Sequence, residues 1–386
     1  MAGIPVIVAT TDPQDETLRS RYVRGSCIVP GFDEQNRSRS VEILVDVGAR
    51  LHAGLGRKVP LVYGSDPHLD LIYRHRQELS EHFLFVLNDP DLGWALHNKE
   101  RFYEVAEAAG IRVPRTRRSG LAVETGIAEL REPILVKPKT KTAWKEIQKT
   151  FFGGDAKARV FATRAELLEH PAFERHKDDL IVQEHIESDV SDLTSFHGFA
   201  DENGQILASF CGRKVRTAPS FAGESSFIEL TIDPAVDAAG REVAKKLGLK
   251  GPFKIDLIRD RRSGEFYTLE INARYNLWHY LGAYHGVNLL AIAYEHLVHG
   301  RIAERATIHG PSRRWLHFSR DYHAFREQQA RGEIGLFGWL SSIASPRNIY
   351  DVFAWKDPEP FLRWAGKFVS RRTTNGTLWN RSRHPR

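Results

Sequence analysis

A cluster of oxygen-bearing side chains lies in one short segment, residues 251–274 (GPFKIDLIRDRRSGEFYTLEINAR). Two acids, Asp256 and Glu270, each follow an apolar residue in a strand-like run, and Asn272 comes two residues after Glu270. Carboxylates and an amide, without Cys or His, suit a hard cation, most naturally Mg²⁺ held jointly with phosphates. The segment therefore predicts a magnesium site, and the alternative is an exposed hairpin with ordinary surface charges.

Hydrophobic alternation predicts that this segment forms a β-hairpin. Four apolar residues recur at the period of a half-buried strand: Ile255, Leu257, Leu269 and Ile271. A three-residue loop at 262–264, with Gly264 in the left-handed conformation, is a common closure and pairs Arg261 with Glu265. Counting back from that loop sets two pairs opposite each other on the polar face: Asp256 with Glu270, and Lys254 with Asn272. Facing carboxylates repel each other unless a cation or a shared proton lies between them, which supports a cation site.

Basic residues at the ends of other predicted strands suit an anion. The run PILVKPK ends in Lys137 and Lys139, and a lysine that enters the interior is partly desolvated and needs an anion as partner. A phosphate and a plain salt bridge both satisfy this need. Another strand is predicted to end at three cations: Arg213, Lys214 and Arg216. A glycine turn at 153–157 (GGDAK) has amides that suit phosphates, but it lacks the spacing of a Walker-type loop.

Composition favours ordinary globular domains. The chain has 386 residues, of which 41% are hydrophobic, so it is long enough for two or three domains with normal cores. No apolar run reaches transmembrane length, and the start lacks the pattern of a secretory leader. Two cysteines, Cys27 and Cys211, give neither a disulfide framework nor zinc-ligand spacing, so a cytoplasmic location is expected.

Positive charge concentrates at the C-terminal end. Residues 311–386 carry 14 Lys and Arg against 6 Asp and Glu, a net +8, whereas residues 1–310 carry 41 against 43, a net −2. Five of the eight Trp lie in the same segment: Trp315, Trp339, Trp355, Trp364 and Trp379. Basic residues interleaved with aromatics suit an anionic membrane surface, with 334–344 (IGLFGWLSSIA) in the interface. A packed helical appendage with a solvated basic tail is the alternative, and no nucleic-acid module is recognisable.

The first part of the chain must supply elements that position these residues. Residues 1–97 alternate short apolar runs with helical patterns, which favours an open parallel α/β sheet. The tripeptide at 64–66 (GSD) follows one of these strands, and a plain turn is predicted there rather than a site. Asn98 is predicted to cap a helix over 99–109.

Further elements are predicted in the second half of the chain. Amphipathic helices are expected over 233–247 and 288–299. Residues 180–201 are expected to form two strands joined by a polar connector. Four polar residues are expected at these positions: Gln183 and Glu184 at the end of the first strand, and Asp189 and Asp192 in the connector. His279 and His285 fit both core and substrate-pocket roles.

Taken in order, these features form a recognisable series: PILVKP, a glycine turn, VQEHI, RK, KID and EINAR. The series resembles the ATP-grasp superfamily over roughly residues 99–310, and the pair KID and EINAR is its specific part. The wider layout is similar to the carboxylate–amine ligase branch that includes D-aspartate ligases of cell-wall synthesis. The resemblance implies an α/β fold with three parts. An open parallel α/β domain (1–98) comes first, and a basic, Trp-rich extension (311–386) comes last. Between them, the ATP-grasp domain (99–310) has the subdomains 99–182 and 183–310 and an antiparallel sheet that carries the metal site.

The resemblance implies a role for each matching position. Lys99 and Lys137 would hold the ATP phosphates. Adenine would meet Gln183, Glu184 and the backbone near His185, and ribose would meet Asp192, with Asp189 as the alternative. Mg²⁺, or Mn²⁺ as the alternative cation, would be bound by Asp256, Glu270 and Asn272. The transferring phosphate would face Arg274 and Lys254, where relatives often carry Arg, with help from Lys214 or Arg213. The segment 141–152 is aromatic and Lys-rich where the family has a Gly-rich cover, so its role as a lid stays open.

The function implied is ATP-dependent ligation of a small-molecule carboxylate to an amine through an acyl phosphate, on a cell-wall or exopolysaccharide precursor. A carboxylase acting through carboxyphosphate and a non-catalytic nucleotide-binding adaptor at a membrane surface are the alternatives. A cytoplasmic protein is expected, with or without peripheral contact with an anionic membrane or a lipid-linked substrate, and without a nucleic-acid partner. The substrates, the base for the amine and the oligomeric state stay open.

Overall fold

The computed structural model describes residues 2–117, 123–139, 145, 147–153, 156–301, 308–310 and 312–367. Three predicted features lie partly or wholly outside the described residues: the glycine turn at 154 and 155, the cover segment at 141–144 and 146, and the basic tail after 367 with Trp379. The chain divides into two compact units, one formed by residues 1–59, 70–83 and 349–386 and the other by residues 60–69 and 84–348. The boundaries predicted at residues 98 and 310 both fall inside the second unit.

Helices and strands alternate through the first half, and strands dominate the centre. The helices are α1 (Arg37–Leu55), α2 (Asp66–Arg74), α3 (Arg76–Ser80), α4 (Pro90–His97), α5 (Lys99–Ala108), α6 (Val123–Ala128), α7 (Arg164–Leu168), α8 (Phe173–His176), α9 (Pro234–Leu247), α10 (His279–Tyr284), α11 (Leu289–His299), α12 (Phe318–Ala330) and α13 (Leu336–Ile343). The strands are β1 (Val6–Thr10), β2 (Val23–Ile28), β3 (Val59–Pro60), β4 (Phe83–Leu84), β5 (Ile134–Pro138), β6 (Arg159–Phe161), β7 (Leu180–Glu184), β8 (Leu193–Ala200), β9 (Ile206–Ala218), β10 (Glu224–Thr231), β11 (Gly251–Arg259), β12 (Phe266–Asn272), β13 (Arg314–Leu316) and β14 (Asn348–Tyr350).

In the first unit, β1 and β2 pair in parallel, as predicted for an open α/β region. The helix α1 begins after Asn36 and ends at Gly56, whose φ of 65° is left-handed. Its buried residues recur at helical spacing, so one face packs inward: Ser40, Val41, Leu44 and Gly48. The strands β3 and β4 form a separate two-stranded sheet, and each is only two residues long.

The second unit is built on a large sheet, in which the strands β12, β11, β8, β9, β10 and β13 lie side by side in that order. Every pairing from β12 to β13 in this order is antiparallel, in agreement with the predicted antiparallel sheet. A separate three-stranded antiparallel sheet has the order β6-β5-β7 and carries Lys137 on β5. Its own apolar core includes the fully buried Phe151 and Phe161.

The core of the large sheet lies under α9. Buried Phe196 on β8 and Phe253 on β11 belong to one apolar cluster with Val236 and Val243 of α9. The predicted cap is present at α5, where Asn98 accepts hydrogen bonds from the amides of Glu100 and Arg101. The helix predicted over 233–247 is present as α9, which begins after Asp233 and ends at Gly248. The helix predicted over 288–299 is likewise present as α11.

Two strand predictions need correction. The strand predicted to end at 213–216 continues to Ala218, because β9 pairs with β10 along its whole second half. In the hairpin, Arg261 does not pair with Glu265; the Asp260 amide donates to the Glu265 carbonyl at 2.9 Å, so the loop contains four residues. Gly264 has the predicted left-handed φ, 73°.

A β-bulge restores the predicted register further along the hairpin. The pairing shifts between Asp256 and Leu257, where Leu257 lies opposite Thr268 rather than Leu269. Beyond the bulge, Asp256 lies opposite Glu270 and Lys254 opposite Asn272. The predicted pairs of polar residues are therefore correct, although the loop from which they were counted was one residue too short.

Candidate active site

Two carboxylates face each other on the hairpin formed by β11 and β12. Asp256 is 3% exposed and Glu270 is exposed. The Lys254 Nζ donates to Asp256 Oδ2 at 2.7 Å, and the Asn272 amide donates to Glu270 Oε1 at 3.1 Å. The second oxygen of Asp256, Oδ1, is buried and has no hydrogen-bond partner. A buried oxygen without a partner costs free energy, so this atom marks a position where a cation or a donor from a ligand fits.

Neighbouring lysines keep the buried carboxylate ionised. Burial by itself raises the pKa of Asp256, but the positive charges of Lys214 and Lys254 outweigh burial and bring the pKa to about 2. The Asp256 carboxylate therefore carries its negative charge at any pH at which proteins normally work. A stably ionised, partly unsatisfied carboxylate is the state that a metal ligand needs.

The sheet register explains why Lys214 reaches this cluster. Asp256 lies opposite Ser195 on β8, and Ser195 lies opposite Gly212 on β9, so Gly212 and Lys214 share the face of Asp256. The adjacent Arg213 points to the other face, where it pairs with Glu229 of β10. The structure thus brings Lys214 to the carboxylates and does not bring Arg213 there.

Lys254 packs against an aromatic ring. Its Nζ lies 5.0 Å from the centre of the Trp278 ring. That ring packs on the sheet beside Gly212, where a Cβ atom would come within 3.0 Å of it, and stacks on His197 at a centroid distance of 5.3 Å. His279 is buried nearby, and burial, Lys254 and Arg274 together lower its pKa to about 3. His279 is thus neutral at physiological pH and leaves the positive charge of the site to lysines and arginine.

Lys137 enters the same region from the three-stranded sheet. It donates to the Tyr103 hydroxyl at 2.7 Å, and that hydroxyl in turn lies 3.2 Å from Gln183 Oε1. Burial lowers the pKa of Lys137 to about 8, although the negative charge of Glu270 opposes this shift. The Tyr103 hydroxyl also lies 3.4 Å from the Leu269 carbonyl, so it links Lys137 of one sheet to the strand that carries Glu270 in the other. Tyr103 was missed in the sequence, because a tyrosine on an amphipathic helix looks like an ordinary core residue.

The residues predicted for the nucleotide base lie at the end of β7. Gln183 and Glu184 are 3% and 5% exposed. The Glu184 carboxylate accepts from the Arg115 amide at 3.1 Å, and the His185 amide donates to the Pro133 carbonyl at 3.0 Å. These bonds fix the strand end and engage one carboxylate oxygen of Glu184 and the amide of His185.

The two connector acids are both held by one arginine. Asp189 and Asp192 lie at either end of a short 3₁₀ helix and form a capping box. Arg261 contacts Asp189 at 2.5 Å and Asp192 Oδ2 at 2.6 Å. Asp192 Oδ2 also accepts from the Asp189 amide at 2.8 Å, so one of its two oxygens is already committed to local structure.

Arg274 forms an ion pair that the sequence did not indicate. Its Nε lies 2.5 Å from Asp66 Oδ1, and its other nitrogen donates to Asn272 Oδ1 at 3.0 Å. His97 Nε2 lies 3.8 Å from the same oxygen of Asp66. The tripeptide 64–66 was predicted to be a plain turn, yet its Asp lies at the edge of the carboxylate cluster. Only its place after a strand hinted at this, because such loops often bind ligands in α/β proteins.

Lys99 lies beside an open cleft. Its Nζ donates to the Pro138 carbonyl at 3.3 Å. The cleft has a volume of about 630 Å³ and is lined by residues of α4 and α5 and by one lysine that follows β5: Asp91, Trp94, Ala95, His97, Asn98, Lys99, Glu100, Arg101 and Lys139. A volume of this size suits a small ligand.

The donor set around Asp256 fits a hard cation. In the described ranges, no group of three or more His, Cys, Asp or Glu residues is arranged to hold a metal. A cation here would instead be held by two carboxylates and the Asn272 amide, with phosphate oxygens of a ligand completing the shell. This all-oxygen set, with the buried unpartnered Asp256 Oδ1, suits Mg²⁺.

Comparison with known proteins points to the same region. The model of the ATP-grasp domain family matches residues 96–276, which include all the polar residues of the hairpin face. The chain is 26% identical over 272 residues to the D-aspartate ligase of Enterococcus faecium (strain Aus0004). This match covers 68% of the chain and 63% of that ligase, so the chain spans less than two thirds of its relative's length.

Two solved structures of proteins with different chemistry resemble this chain in fold. N5-carboxyaminoimidazole synthetase from Staphylococcus aureus, solved with ADP, has a TM-score of 0.58 at 12% identity over 84% of this chain and 80% of that one. The L-amino acid ligase from Bacillus licheniformis has a TM-score of 0.53 at 13% identity over 77% of this chain and 76% of that one. At such low identity these likenesses show the fold alone. The family match identifies an ATP-grasp domain at residues 96–276, and the antiparallel strands that carry the carboxylates, β11 and β12, lie within it.

Proposed function

We propose that the protein is an ATP-dependent carboxylate–amine ligase that forms an amide through an acyl phosphate. The observation that carries this proposal is the buried, ionised and partly unsatisfied Asp256 opposite Glu270, with Lys214 and Lys254 beside it. Such a concentration of fixed charge suits phosphoryl transfer, in which the protein aligns the reactants and neutralises charge rather than forming a covalent bond.

The chain's own residues divide the work in the proposed reaction. Asp256, Glu270 and Asn272 hold Mg²⁺, or Mn²⁺ in its place, and the ion supplies charge neutralisation at the phosphates when bound. Lys137 and Lys99 hold the ATP phosphates. Lys254, Lys214 and Arg274 stabilise the phosphate during transfer, since these cations lie beside the carboxylates.

The nucleotide base and sugar have less support. Gln183, Glu184 and the backbone at His185 are proposed to lie beside adenine at the end of β7. Asp192 is proposed to meet the ribose through Oδ1, because its Oδ2 is bonded to Arg261 and to the Asp189 amide. Lys214 is preferred to Arg213 in the phosphate region, because Arg213 is paired with Glu229 on the other face.

The proposed reaction has two steps. A substrate carboxylate attacks the γ-phosphorus of ATP and releases ADP, which gives an acyl phosphate. An amine then attacks the acyl carbon, inorganic phosphate leaves, and the amine loses a proton as the amide forms. Lys254 and Arg274 favour both steps because each step develops negative charge on phosphate oxygens. No described residue is assigned as the base for the amine.

The similarity to a D-aspartate ligase suggests the first substrates to try. Phosphate release from Mg²⁺ and ATP should be screened with D-aspartate and other amino acids as the carboxylate, and with amines that include cell-wall peptide precursors. The proposal expects release that requires both a carboxylate and an amine. Release stimulated by bicarbonate without an amino acid would favour the carboxylase instead. Binding of ATP with Mg²⁺ but no turnover on any pair would favour an adaptor that retains only the nucleotide site.

A cytoplasmic location with peripheral contact with an anionic membrane is part of the proposal. No helix within the described part of the chain is both long and apolar enough to cross a membrane. The short helix α13 instead exposes three apolar residues, Leu336, Phe337 and Leu340, at 48%, 86% and 42%. It is anchored by Trp339, which stacks on Phe325 and donates to buried Asp321 at 2.9 Å. An apolar tip on a basic segment suits an interface with acidic lipid.

Flotation with vesicles tests this contact. Deleting everything after residue 310 is unsuitable, because β13 belongs to the main sheet and Trp315 is buried in it. The better variant is Phe337→Glu combined with Leu340→Glu, which leaves Trp339 in place. Its matched control is Ile232→Glu, since Ile232 is 77% exposed outside this helix. The proposal expects weaker flotation with anionic vesicles for the double variant alone, and equal flotation of all three proteins would remove it.

A further inference from the structure

The ion pair between Arg274 and Asp66 presents opposite charges side by side at the edge of the carboxylate cluster. The Arg274 Nε lies 2.5 Å from Asp66 Oδ1, and its second contact with Asp66 is 3.4 Å long. Arg274 is 20% exposed and Asp66 is 47% exposed, so a ligand can reach both groups. The pair is also bound to the hairpin, because Arg274 donates to Asn272 Oδ1 at 3.0 Å.

Asp66 lies next to a residue that lines a cleft large enough for a small substrate. His97, whose Nε2 lies 3.8 Å from Asp66 Oδ1, lines the cleft of about 630 Å³ between α4, α5 and Lys139. Asp66 itself begins α2 and is held by no other described arginine or lysine. An acid in this position is costly for a simple carboxylate substrate, since a free anion would compete with Asp66 for Arg274 and meet its repulsion.

A zwitterion removes that conflict. In an amino acid a carboxylate and an ammonium group lie a few bonds apart, so the substrate carboxylate can bind Arg274 while the ammonium binds Asp66. Four charges then alternate in sign, and none is left unpaired in a partly buried place. Bicarbonate and dicarboxylates without an amino group cannot make this exchange.

We propose that Asp66 binds the ammonium group of the acyl donor, so that the donor of the proposed ligase is a zwitterionic amino acid. Asp66 takes no proton in this role: the ammonium stays protonated while the carboxylate on Arg274 is phosphorylated. Asp66 is therefore a specificity-determining residue rather than a base. The inference rests on the proposed ligase function, and it adds the chemical class of one substrate.

Hydroxamate formation tests the assignment without knowledge of the natural amine. Hydroxylamine traps an acyl phosphate from any donor, so kcat/KM can be measured for D-aspartate, for L-aspartate and for succinate, which is aspartate without the amino group. The wild-type protein should prefer one aspartate over succinate by at least about tenfold, because a site built for an amino group rejects the analogue without it. Asp66→Asn should lose that preference, mainly through a higher KM for aspartate, with succinate unchanged or improved.

Two further variants separate substrate binding from structure. Asp66→Glu keeps the charge and should keep the preference for aspartate. Asp237→Asn removes the acid from a comparable exposed pair with Arg241, 2.7 Å long, and should change nothing. If Asp66 only holds Arg274 in place, Asp66→Asn will slow aspartate and succinate by the same factor, and this result overturns the inference.

Calorimetry keeps this test distinct from that of the ligase function. If the wild-type protein makes no hydroxamate with any carboxylate, the ligase proposal fails, and binding of aspartate and succinate is then measured directly with Mg²⁺ and a non-hydrolysable ATP analogue. Binding of aspartate that Asp66→Asn weakens, with succinate unaffected, still supports the ammonium site. Equal binding of aspartate and succinate to the wild-type protein refutes it.

Discussion

The hairpin of β11 and β12 has a buried carboxylate near each end, and the two carboxylates differ in their hydrogen bonds. At the turn end, Asp260 is 1% exposed, accepts from the Arg262 amide at 3.1 Å and the Ser263 hydroxyl at 3.3 Å, and lies 4.0 Å from Arg131. At the other end, Asp256 is equally buried but keeps one oxygen without a partner. The same acid type in the same hairpin therefore serves the fold at one end and is left incomplete at the other.

This difference separates a structural cluster from a functional one. A buried polar atom without a partner destabilises the folded protein, and proteins usually keep such atoms where a ligand completes them. At the turn end, Arg262 lies 3.5 Å from Asp260, and Arg261 pairs with Asp192 of the connector before β8. The site end has an excess of lysine and an open carboxylate oxygen, which is the arrangement that a metal ion and phosphates would complete.

The largest effect is expected from Glu270→Gln at the site end. The variant keeps the shape and removes one charge from the cation site, so kcat should fall at least about a hundredfold, on the order of 3 kcal/mol. The fold should be retained, because Glu270 is exposed. Phosphate release with saturating Mg²⁺ and ATP and the substrates found in the screen measures this.

Glu265→Gln is the matched control at the turn end. Glu265 is a half-exposed acid in the same hairpin and pairs with Arg112. Its removal should leave turnover nearly unchanged, since surface pairs contribute little. A folded Glu270→Gln protein with the parental rate would abolish the distinction between the two ends.

A smaller loss is expected from Lys254→Met. Lys254 bonds Asp256 and lies over Trp278, but Lys214 also supplies positive charge, so kcat should fall about tenfold rather than a hundredfold. Lys254→Arg should restore most of the rate, because Arg keeps the charge and packs well on an indole ring. Equal rates for the Met and Arg variants would show that the charge of Lys254 is not used.

The facing pairs of the hairpin were predictable because two signals in the sequence agreed there. Alternation placed Asp256 and Glu270 on one face, and the KID and EINAR motifs supported the same pairs. The β-bulge beside Leu257 could not be foreseen, since nothing in the letters marks an extra residue on one strand. The loop was consequently predicted one residue too short, and the bulge cancelled the error at the carboxylates.

Long-range pairing was the part that sequence could not supply. Asp66 and Arg274 are far apart in the chain, and although the resemblance implied a role for Arg274, nothing in the sequence indicated that Asp66 would pair with it. The difference between Arg213 and Lys214 depends on which face of β9 each occupies, and an error of one residue reverses it. The cap at Asn98 was predictable, because its hydrogen bonds are local.

The pH dependence of ATP binding probes how the site end is charged. Burial lowers the pKa of Lys137 to about 8, against the opposing charge of Glu270. As pH rises through this value Lys137 loses its proton, so the KM for ATP should rise about tenfold between pH 7 and pH 9. Lys137→Arg should make the KM independent of pH in this range, because Arg stays protonated.

The same pKa shift has a defined effect on stability. The unfolded lysine titrates near 10.5 and the folded one near 8, so the unfolded state binds more protons between these values. The contribution of Lys137 to the free energy of unfolding therefore increases as pH rises from about 8 to about 10.5.

For ATP binding, a wild-type KM that is flat from pH 7 to pH 9 would mean that Lys137 does not contact the nucleotide.

The smallest effect is expected from Asp192, which is held by Arg261 at the turn end of the hairpin. Replacing Asp192 tests whether this region takes part in ATP binding. Asp192 keeps one oxygen for a ribose hydroxyl, while Arg261 and the Asp189 amide hold the other. If Asp192 binds ribose, Asp192→Asn should raise the KM for ATP about threefold and leave the KM for 2′-deoxyATP nearly unchanged. Arg261→Ala serves as the control, because it breaks the ion pairs but retains the acid, and it should change both KM values alike. If Asp192→Asn also affects the two nucleotides alike, Asp192 serves only the fold, and the contrast between the two ends of the hairpin is complete.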